Sequence, residues 1–291
     1  MNKTLLTAGL LGLGLSLTGC INPLPGSVGA EASEPAALAL LAQAAEAHGG
    51  NDNFATVEEI QVRYDGEWLN NVWTLQPMLV DRGFRQSSVE TIVYRGPRSD
   101  GGWPRVIQEH TGPDGKKRVV WPSLLPPDYE PIDGGASVFY NEQPLEDPEE
   151  RVRQEEASAM VAEAYRMFLT GPFYFTQRGG ETIAVMSEPD TVLGAECYQV
   201  LVELRPGFGT SEADRVQIAI DRDTRYVRRV RFSLDGFRKT AGATADVELS
   251  GYTQVDGLIF PTQFLEIVTH PIDREVHRWQ AESIEVRRAG R

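Results

Sequence analysis

The chain holds few side chains of the kinds that react. Its thiols are Cys20 and Cys197, and its imidazoles are His48, His110, His270 and His277. Only the last two are close in sequence, in His270-Pro271-Ile272-Asp273-Arg274-Glu275-Val276-His277. On one strand, residues seven apart face opposite sides, so the pair could share a metal or a substrate only if residues 271–274 turn. Asp214, Asp221 and Asp223 offer hard oxygen ligands, but without the ligand spacing of an EF-hand loop; they read as acidic turn residues. Gly-x-Ser-x-Gly, His-Glu-x-x-His, P-loop and dinucleotide-glycine motifs are absent from the sequence, as is Cys-x-x-Cys. The expectation is a protein that is not an enzyme, with no catalytic residue, metal or cofactor to name. A hydrolase built on His270, His277 or an unseen carboxylate pair is the weaker alternative.

The thiol with a definite chemistry is Cys20, in Leu17-Thr18-Gly19-Cys20. Asn2 and Lys3 precede an apolar run, residues 5–17, rich in Leu, Gly, Ala and Thr. A basic start, a short apolar core and small residues before a cut form a secretory signal. The run has about a dozen residues where a membrane-spanning helix needs roughly 20. Its ending resembles the lipobox of bacterial lipoproteins, in which cleavage falls before the Cys and its thiol receives a diacylglycerol. Residues 1–19 are thus expected to be a lipoprotein signal peptide, and Cys20 the lipidation site carrying palmitate-type acyl chains. Ile21 follows the Cys; in enteric bacteria an Asp there retains lipoproteins in the inner membrane, so Ile21 resembles the outer-membrane default. With Cys20 acylated, Cys197 has no partner for an internal disulfide and reads as a buried core residue in a strand-like run.

Composition narrows the partners. The whole chain has 28 Lys+Arg against 42 Asp+Glu, a net charge of −14. Removing residues 1–19 takes away only Lys3, so the mature balance is −15. An acidic, well-mixed surface argues against nucleic acid, which needs basic patches, and against broad adhesion to anionic lipid. Attachment then falls to the acyl chains, each buried methylene contributing about 0.8 kcal/mol. The expected location is the cell envelope, on the outer membrane and facing the periplasm.

Residues 20–34, rich in Pro, Gly, Ser and Ala, read as a flexible tether, and residues 35–291 as one domain. Pro35 suits a first helical turn, with Ser33 or Glu34 as its cap. Leu38, Leu41, Ala42 and Ala45 give this helix an apolar stripe, Gly49-Gly50 stops it, and His48 is placed to bond its last carbonyls. From Val57 the period changes to two. Short runs broken by Gly, Pro and Asp give a meander, including Val72-Trp73-Thr74-Leu75 and Met78-Leu79-Val80 as strands. Asp65-Gly66 reads as a bulge or turn, and Gly112-Pro113-Asp114-Gly115 as a hairpin turn. Residues 122–147 fit no regular element; Leu124-Leu125-Pro126-Pro127-Asp128-Tyr129 either folds over an apolar opening or is an ordered crossover. Asp147-Pro148-Glu149-Glu150 starts a long helix. Its apolar face is expected to be Val152, Ala157, Met160, Val161, Ala164, Tyr165, Phe168 and Leu169, with Arg153, Glu155, Glu156, Glu163 and Arg166 on the opposite, solvated face. Strands then continue to the end, roughly a dozen in all against two helices, which favours one large antiparallel sheet over βαβ units.

The order of elements resembles a known superfamily. The residues that carry it are Leu169-Thr170-Gly171-Pro172-Phe173-Tyr174-Phe175 after the helix, Gly194-Ala195-Glu196-Cys197-Tyr198-Gln199-Val200, Gln217-Ile218-Ala219-Ile220-Asp221-Arg222-Asp223-Thr224, and Val255-Asp256-Gly257-Leu258-Ile259-Phe260-Pro261. Over about residues 35–286 the chain resembles the LolA/LolB-like lipoprotein-sorting superfamily. That resemblance implies a mainly β fold, a large curved antiparallel sheet forming an incomplete, half-open barrel, with two or so helices on its concave side. It also implies a cavity for acyl chains or a lipoprotein. Trp68, Trp73, Trp121, Met160, Tyr165 and Phe168 are the cavity candidates, each of which could equally be plain core. A structural or protein-interaction module of the envelope is the alternative.

Overall fold

Alternating apolar and polar residues commit about half of the described residues to strands, and the strands of the large sheet pair mostly in chain order, apart from the junctions of β1 with β16, β12 with β15 and β7 with β9. The computed structural model describes residue 24 and residues 34–74, 76–94, 105–122, 136–178, 182–186, 188–208, 211–235 and 238–288. The expected signal peptide, Cys20 and most of the expected tether lie outside these, as does the 124–129 segment. Among the described residues are sixteen strands and five α-helices, more of both than the sequence pattern suggests.

The N-terminal part runs α1 (Pro35–Ala47), α2 (Asn51–Phe54), β1 (Val57–Trp68), α3 (Pro77–Val80), β2 (Ser87–Val93), β3 (Arg105–Gly112), β4 (Gly115–Pro122), β5 (Ser137–Tyr140) and β6 (Gln143–Pro144). Two helices follow, α4 (Pro148–Thr170) and α5 (Pro172–Arg178). The rest is β7 (Thr182–Val185), β8 (Asp190–Val192), β9 (Ala195–Leu204), β10 (Asp214–Asp221), β11 (Val227–Ser233), β12 (Thr244–Ser250), β13 (Thr253–Val255), β14 (Leu258–Phe260), β15 (Gln263–His270) and β16 (Arg274–Arg288).

One antiparallel sheet of 14 strands has the order β6-β5-β4-β3-β2-β1-β16-β15-β12-β11-β10-β9-β7, with β8 also on β9. The long seam between β1 and β16 joins the two halves, from Val57 opposite Arg288 to Trp68 opposite His277. The sheet does not close: β6 and β7 are edges. It does curl. Trp121 on β4 and Phe232 on β11, with six strands between them, both touch α4, through Glu163 and Phe168 respectively. A flat sheet could not bring both to one helix. The half-open barrel expected from the sequence is therefore present, with α4 inside it.

Several local expectations change. The stripe of α1 is Ala37, Leu41, Ala44 and Ala45, whereas Leu38 and Ala42 are exposed. Small residues on that face let α1 pack on α5 and β7, and Glu34 pins its start by pairing with Ile183 and Val185. Residues 72–80 are not strands but a one-turn 3-10 helix, Val72–Thr74, and α3. Asn70 and Asn71 take left-handed φ, which ends β1, and Pro77 begins a helical turn. β1 continues through Asp65-Gly66, and its irregularities against β16 fall at Val57/Glu59 and Arg63/Tyr64. Phe173, Tyr174 and Phe175 are helical in α5. β5 and β6 form within residues expected to be irregular, and Pro261 lies in the break between β14 and β15.

The strongest local signal holds. The carboxylate of Asp147 accepts from the N–H groups of Glu149 and Glu150, both at 2.9 Å. Asp147→Ala is expected to lower the free energy of unfolding by about 0.5–2 kcal/mol, with Asp147→Asn close to wild type. An unchanged urea midpoint for Asp147→Ala would show that the cap carries nothing.

Candidate functional site

From Ala157 to Thr170 only Val161 is as much as half-exposed, so α4 is enclosed on every face. Its aromatic side chains form a wall with the sheet. Tyr165 packs edge-on to Tyr64 at 5.8 Å and stacks on Trp279 at 5.1 Å between ring centres. Phe168 lies 5.4 Å from Phe232 and 6.1 Å from Trp279. Of the six cavity candidates, Trp121, Met160, Tyr165 and Phe168 share this core. Trp68 is half-buried at its margin, stacked on His277 at 3.8 Å and donating its indole N–H to the Arg85 carbonyl at 2.9 Å. Trp73 lies apart, in a small cluster with Val72, Val80 and Val276 and beneath the Arg82 guanidinium. The concave side is thus filled by α4 rather than left as an open apolar hollow.

Enclosure overturns one expectation about α4. Glu163 and Arg166 are not on a solvated face; both are buried, while Val152 of the expected apolar face is exposed. Glu163 accepts from Trp121 Nε1 at 3.3 Å and Tyr174 OH at 2.8 Å, and Arg166 Nη1 lies 3.6 Å from it. A buried carboxylate is tolerable only with such partners.

At one end, the inward rows of β2, β3 and β4 turn from apolar to polar. Glu90 faces Gln108, Ser88 faces His110, and His110 faces Lys117 across the register. Gln108 Nε2 donates to Glu90 at 2.8 Å. Burial pushes the Glu90 carboxyl up to about 8 against the opposing pull of Gln108 and Arg85. Burial likewise raises Glu266 to about 7. It drives the imidazoles of His110 and His277 well down, Arg85 adding to the effect in both. Lys117 is paired with Asp81 at 2.8 Å and also donates to Gln154.

Arg85, in the turn after α3, stands at the centre of this polar floor and lines two small cavities. One, of about 20 Å³, is bounded by Tyr64, Trp68, His110, Tyr165 and His277. The other, of about 10 Å³, is bounded by Met78, Leu79, His110, Lys117, Ser158 and Val161. Met78 is shared with a third space of about 500 Å³ that opens to solvent between α3 and α4, beside Gln76, Glu150, Gln154 and Lys239. The two small spaces share Arg85 and His110, and Met78 separates the second from the third, so the three lie in a row between the surface and the polar floor. On the convex face a separate groove of about 590 Å³ runs past Asp65, Glu67, Glu248, Leu265 and Arg278 to the exposed Leu193.

The remaining sequence candidates have structural places. His48 Nδ1 bonds the Ala44 carbonyl at 2.8 Å, as expected for a helix end, and burial lowers its imidazole to about 4. Cys197 is a free, fully buried thiol in a small cluster with Val192 and Ala219, outside the main core. Asp214 and Asp221 sit at opposite ends of β10, opposite Leu204 and Cys197. Although burial opposes ionisation, the N–H groups of Thr224 and Asp223 and the Arg228 side chain hold Asp221 down at about 2. His277 is engaged by Trp68, Trp279 and the Tyr165 hydroxyl, and His270 lies at the far end of β15 opposite Thr244. The two are not brought together. Among the described residues no group of three or more metal-ligating side chains occurs.

No family model matches the chain, and no curated protein matches it. Solved structures do. A DUF1329 family protein from Desulfovibrio piger aligns at 14% identity over 86% of this chain and 92% of its own, with a TM-score of 0.49. A LolA superfamily protein from Nitrosomonas europaea aligns at 11% identity over 86% and 93%, with a TM-score of 0.47. An outer membrane lipoprotein-sorting protein domain from Vibrio parahaemolyticus aligns at 10% identity over 88% and 94%, with a TM-score of 0.35. At these identities and TM-scores, none of the likenesses fixes what this chain binds.

Two outcomes follow from the buried carboxylates. Glu163→Ala takes the acceptor from Trp121 and Tyr174 and a counter-ion from Arg166, and should cost about 3–5 kcal/mol in urea denaturation; a loss within experimental scatter would contradict the bonded role. Glu90 keeps its proton in the folded state between its usual value near 4.5 and about 8. Its contribution is therefore fully present below that window and declines as pH rises through it. Relative to wild type, Glu90→Gln should gain stability progressively across the window and then level off. A pH-independent difference between the two would mean that Glu90 is ionised throughout.

Proposed function

We propose that the chain is a non-enzymatic envelope lipoprotein, anchored to the outer membrane by acyl chains on Cys20, whose half-barrel binds an acyl-chain-like ligand or the acyl part of another lipoprotein. The observation that carries this reading is the track between α3 and α4. It begins in the space of about 500 Å³ at the surface and passes Met78, Leu79, Ala157 and Val161 to reach Arg85. Because α4 packs the concave side, a ligand enters along this track by widening it. The element that gives way is α3, a single turn, since α4 is held by its cap at one end and by Glu163 within the core.

A second reading, binding of a partner protein, is favoured by one observation. The convex groove ends at Leu193, which is 54% exposed on the tight turn between β8 and β9. An exposed leucine beside a groove lined by Asp65, Glu67 and Glu248 suits a partner segment that is apolar and basic.

The anchor is tested by metabolic labelling with palmitate and by membrane fractionation. Wild type is expected to be labelled and membrane-bound, and Cys20→Ser unlabelled and released; equal labelling of both would refute Cys20 as the acylated residue. The ligand is tested with a fluorescent acyl probe. Met78→Trp narrows the track and should weaken probe binding about tenfold, a loss of about 1.4 kcal/mol, with the unfolding midpoint unchanged. Full probe binding by Met78→Trp would rule out this route, and transfer of all the loss to Leu193→Asp would move the site to the convex groove.

A further inference from the structure

Among the described residues, every buried Lys or Arg but one has a carboxylate partner. Lys117 pairs with Asp81, Arg166 with Glu163, Arg229 with Asp190 and Asp246, and Arg288 with Asp256. Arg85 is only 7% exposed, yet among the described residues it forms no ion pair. Its Nη1 donates to the Leu79 carbonyl, and its Nη2 reaches the Tyr165 hydroxyl at 3.5 Å, the outer limit of a hydrogen bond. Its Nε is buried and unpartnered. The nearest acids are engaged elsewhere: Glu90 accepts from Gln108 at 2.8 Å, and Glu266 lies 3.9 Å from His277 Nδ1. A guanidinium out of water without a counter-charge is costly, by several kcal/mol.

The same place holds a second free donor. Ser158 Oγ is buried without a partner, and Ser158 and Arg85 line the same cavity of about 10 Å³, with Arg85 also lining the adjoining one of about 20 Å³. Each space is about the size of one water molecule. They are polar where Arg85, Ser158 and His110 face in, and apolar where Met78, Leu79, Ala157 and Val161 continue toward the surface. Guanidinium forks match the oxygens of a carboxylate or phosphate.

We propose that Arg85, assisted by Ser158, is the head-group site of this protein, and that its ligand is an anionic single-chain amphiphile. The negative head, a carboxylate or a phosphate ester, seats on the guanidinium, and the tail runs out past Met78, Leu79, Ala157 and Val161. The ligand supplies the counter-charge that the fold omits. This rests on the acyl-binding reading above and adds the chemistry of the head.

The test uses the full chain in a maltoside micelle and displacement of a fluorescent acyl probe by dodecanoate, dodecyl phosphate and dodecanol, which share one tail. On wild type, at least one of the two anions should displace the probe about tenfold more tightly than the alcohol, a difference of about 1.4 kcal/mol; which anion leads identifies the head. Arg85→Met should erase the preference while leaving dodecanol binding unchanged, and Arg85→Lys should retain part of it. Equal binding of anion and alcohol to wild type overturns the head-group site while leaving acyl binding intact, as does a preference that survives in Arg85→Met. If Arg85→Met fails to fold, the wild-type comparison and Ser158→Ala, expected to narrow the preference, decide the matter. If none of the three amphiphiles competes, the acyl-binding reading fails, and the head-group site with it.

Discussion

Glu163 accepts hydrogen bonds from Trp121 on β4 and Tyr174 on α5, and faces Arg166 one turn along its own helix. How α4 can lie inside the sheet depends on these contacts. A helix with water on one side disposes of its charged residues by pointing them outward. α4 has no such side over its last four turns, so its charges must be bonded where they are. The bonds tie β4 to the two mid-chain helices, α4 and α5. They also leave the far end of α4, near Gln154 and Glu150, beside the opening at α3.

The sheet is stabilised by the helix it encloses rather than by closure on itself. Trp121 and Phe232 come from distant strands yet meet the same helix, and the aromatic stack of Tyr64, Tyr165, Trp279 and Phe264 links α4 to the β1–β16–β15 seam. An edge strand left at each end is tolerable because β6 and β7 are short. At the seam, Gly66 is needed for space: a Cβ there would collide with Trp279 and the Arg278 carbonyl.

The interior is divided. Around Phe168 and Phe232 it is apolar and buried, while around Arg85 it is polar and incompletely paired. Core packing resists small gaps because each forfeits dispersion contacts. Here two unpartnered donors, Arg85 Nε and Ser158 Oγ, coincide with two water-sized spaces, beside the wider space that opens between α3 and α4.

Much of this was written locally in the sequence. The period-two runs from Val57 onward, the Asp147-Pro148 cap, the Gly171 stop, the hairpin at Pro113-Asp114 and the bonding of His48 to its own helix all depend on neighbours within a few residues, and each holds in the structure. The resemblance of Leu17-Thr18-Gly19-Cys20 to a lipobox is local too, and lies outside the described residues. Polar residues in inward phase, Glu90 with Ile92 and Gln108 and His110 with Val106, were a legible sign of the polar floor. What the sequence alone could not decide was which side of α4 faces water, because that is set by a sheet whose two ends lie on opposite sides of it. Nor could it decide that residues 72–80 coil into single turns, since short apolar runs have no distinguishing period. Arg85 was silent for the same reason: whether a guanidinium is paired depends on distances to Leu79, Tyr165, Glu90 and Glu266, which only the curled sheet brings around it.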